Sequence, residues 1–410
     1  MTETLRDTTG RTYRVESQLA RGGQARTLRV TERRSSAPFV AKIFHPEYSN
    51  ETTRRRIAWL ISAELSRRSP ALAGPHAEIR RRDGVGYFMP LLPGRSLDEE
   101  MAKPTWTLAE GLGIAAAIAL ALATLEGMGV AHGDLSAANV LLNRDSAGIF
   151  RVIVIDPDNF MHPGLPPAPM LGARPFWAPE ALRGAAPSVE GDRYSLAVLT
   201  HEILYLRHPL SSAVSPDADE SAYDAALASV RWFDDPAGDS KTGAPSPGGY
   251  PAGILDTPTK RLFRRALVSR CEDRPTAAEW AEVLTRALRR VWECKRCQVQ
   301  CVNDSSRRSC PNCGHEPPAL SLVREGGARI SLAGPVTVLG RQNLGGSPVI
   351  SSTHIVVRRR GLEYGAEDVS TNGSSLLSRR GWERIPKGRE VVVGRGRRVR
   401  FAGEVEARFV

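Results

Sequence analysis

Residues 132–142 read HGDLSAANVLL, and fourteen residues further on the apolar run VIVI ends in Asp156-Pro157-Asp158. Asp134, Asn139 and Asp156 form an oxygen-rich set at the spacing phosphoryl transfer requires. One carboxylate can orient a hydroxyl nucleophile, while an amide and a second carboxylate can hold Mg²⁺. An Asp-rich turn alone is commonly a helix cap or a solvated loop. The two stretches together point to an active site.

Working outward from it, residues 13–30 read as strand, turn, strand, with Arg21-Gly22-Gly23-Gln24 at the turn. Glycines there let backbone N–H groups approach an anion, although an ordinary hairpin reads the same way. The next strand, PFVAKIF, carries Lys42 within an apolar alternation, a costly placement unless something anionic meets it. A helix is expected over about 52–68. Residues 84–99 read as a strand, a Pro/Gly break and a helix start capped by Ser96, with Glu99 three residues on. The apolar stretch 111–125 reads as a buried helix, too short and Ala-rich to span a bilayer comfortably.

The HxD-x-x-x-x-N run followed by a strand ending in Asp resembles the protein kinase family, where HRDLxxxN and DFG occupy these places. The resemblance covers about residues 10–290 and rests on several motifs in order. It implies that Lys42 holds the α and β phosphates of ATP and that Asn139 and Asp156 hold Mg²⁺. Asp134 would then orient the accepting hydroxyl. Gly22 and Gly23 would lie over the phosphates, with Ala20 and Ala25 where the family has its first and third glycines. The helix after Lys42 would supply its carboxylate partner, for which Glu64 is the first candidate and Glu51 the alternative. The adenine would lie against the backbone from Met89 to Leu92. Pro90 has no N–H, so the donor there is Leu91 or Leu92. Ala178-Pro179-Glu180 matches the APE triplet, Asp192 the cap of the following buried helix, and Arg274 the partner of Glu180.

The departures carry information. Gly133 replaces the arginine that reads an activation-loop phosphate, and residues 157–177 contain no Ser, Thr or Tyr, so switching by phosphorylation of that segment is not expected. Ser136 stands where Ser/Thr kinases carry a lysine, and Ala138 where many tyrosine kinases carry an arginine. Loss of such a charge costs on the order of 10²-fold in rate. In DPD, Pro157 and Asp158 replace the Phe and Gly of DFG, and the proline should restrict the flip of that loop. A Pro/Gly/Ser-rich stretch from 232 reads as a surface loop.

Two CxxC pairs, Cys294/Cys297 and Cys310/Cys313, lie twelve residues apart and give four thiolates for one structural Zn²⁺, similar to a zinc ribbon. Cys301 is left over as a bystander, and Cys271, in the kinase-like part, reads as a core thiol. The last ninety residues read as short strands with frequent turn signals, the pattern of a β-sandwich. The order LGRQ at 339, SSTH at 351 and STNG at 370 resembles the forkhead-associated (FHA) domain, a phosphothreonine-peptide reader. That resemblance implies phosphate contacts from Arg341 and Ser351, a bracing His354, and peptide contacts from Thr371 and Asn372. Ser352 stands where an arginine is common in that family.

The net charge of +11 suits acidic partners, and the Arg cluster from 394 equally suits the solvated face of a strand, so nucleic acid is not the expected ligand. The N-terminal residues lack signal-peptide character, and paired cysteines without a leader point to a cytoplasmic setting. The expected architecture is α+β and multidomain: a two-lobed protein kinase fold over 1–290, a small zinc ribbon over 291–318 and an FHA-type β-sandwich over 319–410. The expected function is a Ser/Thr protein kinase using ATP, Mg²⁺ and Zn²⁺, with protein substrates, phosphothreonine-bearing partners and no membrane. Kinases of similar mixed build occur alongside bacterial phosphatases, which makes a cognate phosphatase a candidate partner. The alternative is a pseudokinase scaffold acting through its phosphopeptide reader, a reading favoured by Ser136 and the eroded glycine turn.

Overall fold

The strand, turn, strand pattern after Tyr13 is realised in the computed structural model, which describes residues 3–80, 84–166, 176–209, 232, 234, 249–326 and 328–410. The strands β1 (Thr4–Arg6), β2 (Thr12–Arg21), β3 (Ala25–Glu32), β4 (Pro38–Phe44), β5 (Ala77–Glu78) and β6 (Gly86–Pro90) form one antiparallel sheet in the order β1-β2-β3-β4-β6-β5. Alternation sorts its side chains. Ala41 and Ile43 of β4 join Tyr13, Val30 and Phe88 in one core, while Lys42 points the other way and registers against Thr27 and Tyr87.

Helix α1 (Glu51–Ser62) covers that second face with Ile57 and Leu60, and Asn50 caps it by accepting from the Thr53 N–H at 3.0 Å. The expected helix over 52–68 is broken. Glu64 adopts the left-handed conformation (φ 46°, ψ 46°), after which a short α2 (Leu65–Arg68) begins. The break turns Leu65 into the core and leaves Glu64 outside.

The second lobe is built on α4 (Leu108–Gly127), which follows α3 (Leu97–Met101) and starts at a capping box between Thr107 and Glu110. It is long and apolar enough to cross a membrane by composition, yet most of it is buried. It packs against α6 (Val189–Tyr205), α8 (Ala277–Leu288) and the strand β9 (Phe150–Val154). Between α4 and α6 lie β8 (Val140–Arg144), β9 and the short α5 (Pro179–Leu182), with β7 (Arg95–Ser96), just before α3, pairing with β8; α7 (Thr257–Val268) follows α6. The expected cap of α6 is corrected: Ser188 caps it, accepting from Gly191 N–H at 3.0 Å, and Asp192 is turned inward to the catalytic loop. The expected surface loop from 232 falls largely outside the described residues.

The chain divides into two compact units, Met1–Tyr250 with Pro258–Arg289, and Pro251–Thr257 with Arg290–Val410. In the second unit the hairpin β10 (Val291–Glu293) and β11 (Gln300–Val302) carries Cys294 and Cys297 at its turn, and Cys310 and Cys313 follow it in the chain. Two sheets follow: β13-β12-β21-β20-β17-β18 and β14-β15-β16-β19. Their strands are β12 (Ser321–Arg324), β13 (Arg329–Ser331), β14 (Val336–Leu339), β15 (Ile355–Arg360), β16 (Glu363–Asp368), β17 (Ser374–Ser378), β18 (Gly381–Arg384), β19 (Glu390–Val393), β20 (Arg398–Phe401) and β21 (Val405–Phe409). Leu322, Phe401 and Phe409 from the first sheet meet Ile355, Val357 and Ala366 from the second in one core. The hairpin is tied to this sandwich through Asn303, which accepts from Leu362 N–H at 2.9 Å and donates to Arg360 O at 3.2 Å.

Candidate active site and accessory sites

The catalytic loop is held from beneath. Asp192, buried on α6, accepts from the backbone N–H groups of His132 and Gly133, the latter at 3.0 Å. Burial pushes the Asp192 carboxyl up to about 7, and the two N–H groups work against that rise. Gly133 has φ +76°, and a Cβ there would sit 2.6 Å from the Asn159 carbonyl oxygen. The glycine in HGD is therefore required by the close approach of the segment after the metal loop. His132 is buried, its ring 3.1 Å from the Ile155 carbonyl oxygen.

Asn139 donates from Nδ2 to the backbone oxygen of Asp134 at 2.8 Å and to its carboxylate at 3.1 Å. That fixes the amide and leaves Oδ1 as an oxygen donor. Asn139 and Asp156 line one cleft of about 700 Å³, open to solvent, together with Lys42, Met89, Leu91 and Leu92. Asp134 lines an adjoining pocket with Phe176, Trp177 and Pro187. A carboxylate and an amide oxygen facing one cleft suit a hard divalent cation such as Mg²⁺. Asp156 itself is left-handed (φ 62°, ψ 69°), a conformation uncommon outside glycine and typical of constrained sites.

Lys42 does not meet a glutamate. Its ammonium lies 2.7 Å from Asp156 Oδ1 and 2.6 Å from Asp158 Oδ2. Burial opposes the charge on Lys42, but Asp158 and then Asp156 outweigh it, and its pKa is raised. Glu64 is corrected: it pairs with Arg67 at 2.6 Å, with more than half of its side chain exposed, because the left-handed turn swings it outward. Glu51 is likewise exposed and pairs with Arg54 and Arg55.

Three contributors were missed in the sequence. Asp158 sits where DFG has glycine, Tyr87 donates to its Oδ1 at 2.9 Å, and Arg56 of α1 donates to the carbonyls of Asp158 (2.8 Å), Phe160 (2.6 Å) and Pro166 (2.5 Å). The available signal for Asp158 was that α1 holds no acid beyond its first residue, while a buried lysine needs one.

The glycine turn also differs from expectation. Gly22 and Gly23 close a tight hairpin, with Gly22 N–H on Ala25 O at 2.9 Å and the His45 ring 3.0 Å from Gly22 O. Neither lines the cleft, which this hairpin reaches through Thr27. At the hinge, the Leu91 N–H is spent on Pro38 O at 3.2 Å. Both Leu91 and Leu92 line the cleft, and with the Leu91 N–H engaged this way the expected donor is Leu92. Farther out, Arg274 is buried and grips Glu180 through two bonds of 2.5 and 2.9 Å.

In the second unit, Cys294, Cys297, Cys310 and Cys313 place their sulfur atoms within 4.8 Å of one another. Cys294 and Cys313 are 3.7 Å apart and Cys297 and Cys310 3.6 Å, close to the roughly 3.8 Å edge of a tetrahedral thiolate cage with 2.3 Å bonds. The donor set therefore fits Zn²⁺. Hydrogen bonding from Asn312 and Val299 holds Cys297 down at about 6, while burial pushes Cys310 up to about 12.

At one end of the sandwich, Gly340 lies so close to Ser352 that a Cβ would overlap its carbonyl oxygen. Arg341 is exposed and braced by the Ile350 carbonyl at 2.9 Å. Ser351 Oγ accepts from Thr371 N–H at 3.1 Å, and Asn372 donates to Val349 O at 2.8 Å. Buried His354 joins the two loops, accepting from Ser351 N–H at 3.1 Å and donating to Gly373 O at 3.2 Å.

The description "Protein kinase domain" matches residues 13–284. A curated relative, "Probable serine/threonine-protein kinase pknA2" of Bifidobacterium longum (strain NCC 2705), is 23% identical over 212 residues, covering 49% of this chain and 27% of that protein. Among solved structures, the chain is similar to "Crystal structure of Rad53 1-466 in complex with AMP-PNP", with a TM-score of 0.49 and 17% identity, over 65% of this chain and 63% of that one. The chain thus spans about a quarter of the curated relative. Since the family match takes in well over half of the sequence, from the sheet of the first lobe to the last helix of the second, the chain belongs to the protein kinase domain family.

Proposed function

We propose that the chain is an ATP- and Mg²⁺-dependent protein kinase acting on Ser or Thr of protein substrates, and that its C-terminal unit is a zinc-stabilised FHA-type reader of phosphothreonine. The observation that carries the first half is the gathering of Lys42, Asn139 and Asp156 on one cleft, with Asp134 bonded to Asn139 beside it. Lys42 steadies the α and β phosphates, and Leu92 receives the adenine edge. Asp134 orients the substrate hydroxyl and takes its proton as that oxygen bonds to the γ-phosphorus and the bridging bond to ADP breaks. Mg²⁺, held by Asn139 and Asp156, would neutralise phosphate charge. Ser136 is buried, so the usual second cation does not come from that position. This favours slow turnover, and together with a glycine turn that does not line the cleft it supports a scaffold reading.

For the second unit, the support is the convergence of Arg341, Ser351, Thr371 and Asn372 on neighbouring loops. Arg341 offers a charged fork to phosphate, Ser351 keeps its O–H to donate, and the Thr371–Asn372 loop offers its edge to peptide backbone. The four cysteines would hold Zn²⁺ as a structural clamp, with reduced thiols that agree with a cytoplasmic protein. A cognate phosphatase is the expected opposing partner.

Phosphosite mapping after incubation with Mg-ATP tests the whole reading. Wild type should acquire phosphate on itself or on an added protein, and Lys42→Ala should acquire none. Phosphothreonine peptides found this way should be captured by the wild-type chain. Identical maps for wild type and Lys42→Ala contradict the kinase, and leave the reader to be tested by peptide binding.

A further inference from the structure

Lys42 faces two carboxylates, and a working kinase site needs only one of them for its metal. If Asp156 turns to Mg²⁺, as the proposed function requires, something else must hold the lysine over the phosphates. Protein kinases ordinarily draw that group from the helix after the lysine strand, and the intact pair is a condition of activity. Here that helix reads ETTRRRIAWLIS, and its single acid, Glu51, lies at the exposed first turn.

We propose that Asp158, in the metal loop itself, is the residue that positions Lys42 for phosphoryl transfer, so that α1 acts as a fixed strut and not as the supplier of the anchoring acid. Four observations carry it. Asp158 Oδ2 lies 2.6 Å from Lys42 Nζ, and its side chain is only 8% exposed. Its other oxygen accepts from Tyr87 at 2.9 Å, and Tyr87 stands opposite Lys42 in the sheet register, so the carboxylate is fixed from two sides. Its own backbone carbonyl is gripped by Arg56 at 2.8 Å. Finally, Pro157 restricts the rotation that would carry Asp158 away.

The division of labour follows from charge. With Lys42 shared between the two carboxylates and Arg56 held on the Asp158 carbonyl, a divalent cation is drawn to the more exposed acid. Asp156 is that acid, at 32% side-chain exposure against 8% for Asp158. With a metal on Asp156, Lys42 keeps Asp158 and stays aimed at the cleft. An anchor on the metal loop also couples the two halves of the site, since the loop cannot leave without releasing the lysine.

The inference rests on the kinase reading, and its test separates the two. Purified full-length Asp158→Asn, Asp158→Glu, Glu51→Gln and Glu64→Gln are compared with wild type for phosphotransfer kinetics, affinity for a fluorescent Mg-ATP analogue, and melting temperature. Asp158→Asn should lose about 10²-fold in kcat/KM, the loss expected for removing a charge-assisted contact to a phosphate-binding group. Asp158→Glu, which keeps the carboxylate, should recover at least about tenfold of that, and the two Gln variants should match wild type. Wild-type kcat/KM in Asp158→Asn overturns the proposal. So does equal impairment of the Asn and Glu variants, or a comparable loss in Glu64→Gln. If the wild-type chain transfers no phosphate, the kinase reading falls, and analogue affinity decides the anchor. At least tenfold weaker binding by Asp158→Asn than by Glu64→Gln supports it, and equal binding contradicts it.

Discussion

Arg56, in the middle of α1, donates a hydrogen bond of 2.6 Å to the carbonyl of Phe160, in the segment that follows the metal loop. The same guanidinium reaches Asp158 O and Pro166 O, so one buried cation gathers three carbonyls. Arg56→Met should lower unfolding free energy by about 2–4 kcal/mol, since buried polar groups left unpaired cost roughly 1–3 kcal/mol each and relaxation recovers part. Urea unfolding of the two proteins checks it, and Arg56→Lys should rescue little because it lacks the planar fork.

Metal removal should act on the C-terminal unit and leave the kinase unit's activity nearly intact. The four cysteines join a hairpin too small for its own core, so a chelator or Cys310→Ser should lower the melting temperature of that unit. Metal analysis of the wild-type chain should return about one Zn²⁺ per chain, the capacity of a four-thiolate site, and Cys301→Ser should leave this unchanged.

Stability of the kinase unit should carry a pH signature from Glu202. Burial raises its carboxyl from 4.5 to about 8, with Asp98 adding to the rise. Between those values the folded protein holds a proton that the unfolded chain has lost, so this residue's contribution falls as pH rises through that window and levels off above it. Glu202→Gln should therefore be more stable than wild type at pH 8.5, with the difference shrinking towards pH 4.5. Paired melts across that range measure it, and a difference independent of pH would refute the assignment.

Phosphopeptide capture should depend on the exposed loops and not on the sheets beneath. Arg341→Ala should weaken binding of a phosphothreonine peptide by about 10- to 100-fold, the worth of a charge-assisted fork, and Ser351→Ala by less. Calorimetry with phosphorylated and unphosphorylated versions of one peptide reads both effects. Equal affinity for the two versions would remove the reader.

What was legible in the sequence was what spacing alone determines. Asp134 and Asn139 are five residues apart on one loop, and the CxxC pairs need only two turns to converge, so each announced its chemistry. The second group of features depends on chain direction at single residues. The left-handed turn at Glu64 moved the obvious acid into solvent, and Asp192 looked like a helix cap while serving the catalytic loop. Arg56, within a run of three arginines, reads as a solvated helix face until the segment after the metal loop is seen lying across it. Asp158 was counted as the loss of a flexible glycine, because its value depends on a lysine 116 residues earlier in the chain.

The central claim is that this cleft transfers phosphate, and radiolabelled γ-phosphate from Mg-ATP follows that event directly. Asp134 lies in the pocket beside the nucleotide cleft, and an asparagine there keeps an oxygen able to accept from Asn139, so Asp134→Asn should bind the nucleotide as wild type does. Its incorporation of label into protein should fall by at least about 10²-fold, as expected for loss of the group that takes the hydroxyl proton. Label incorporated equally by wild type and Asp134→Asn, or by neither, would contradict the account.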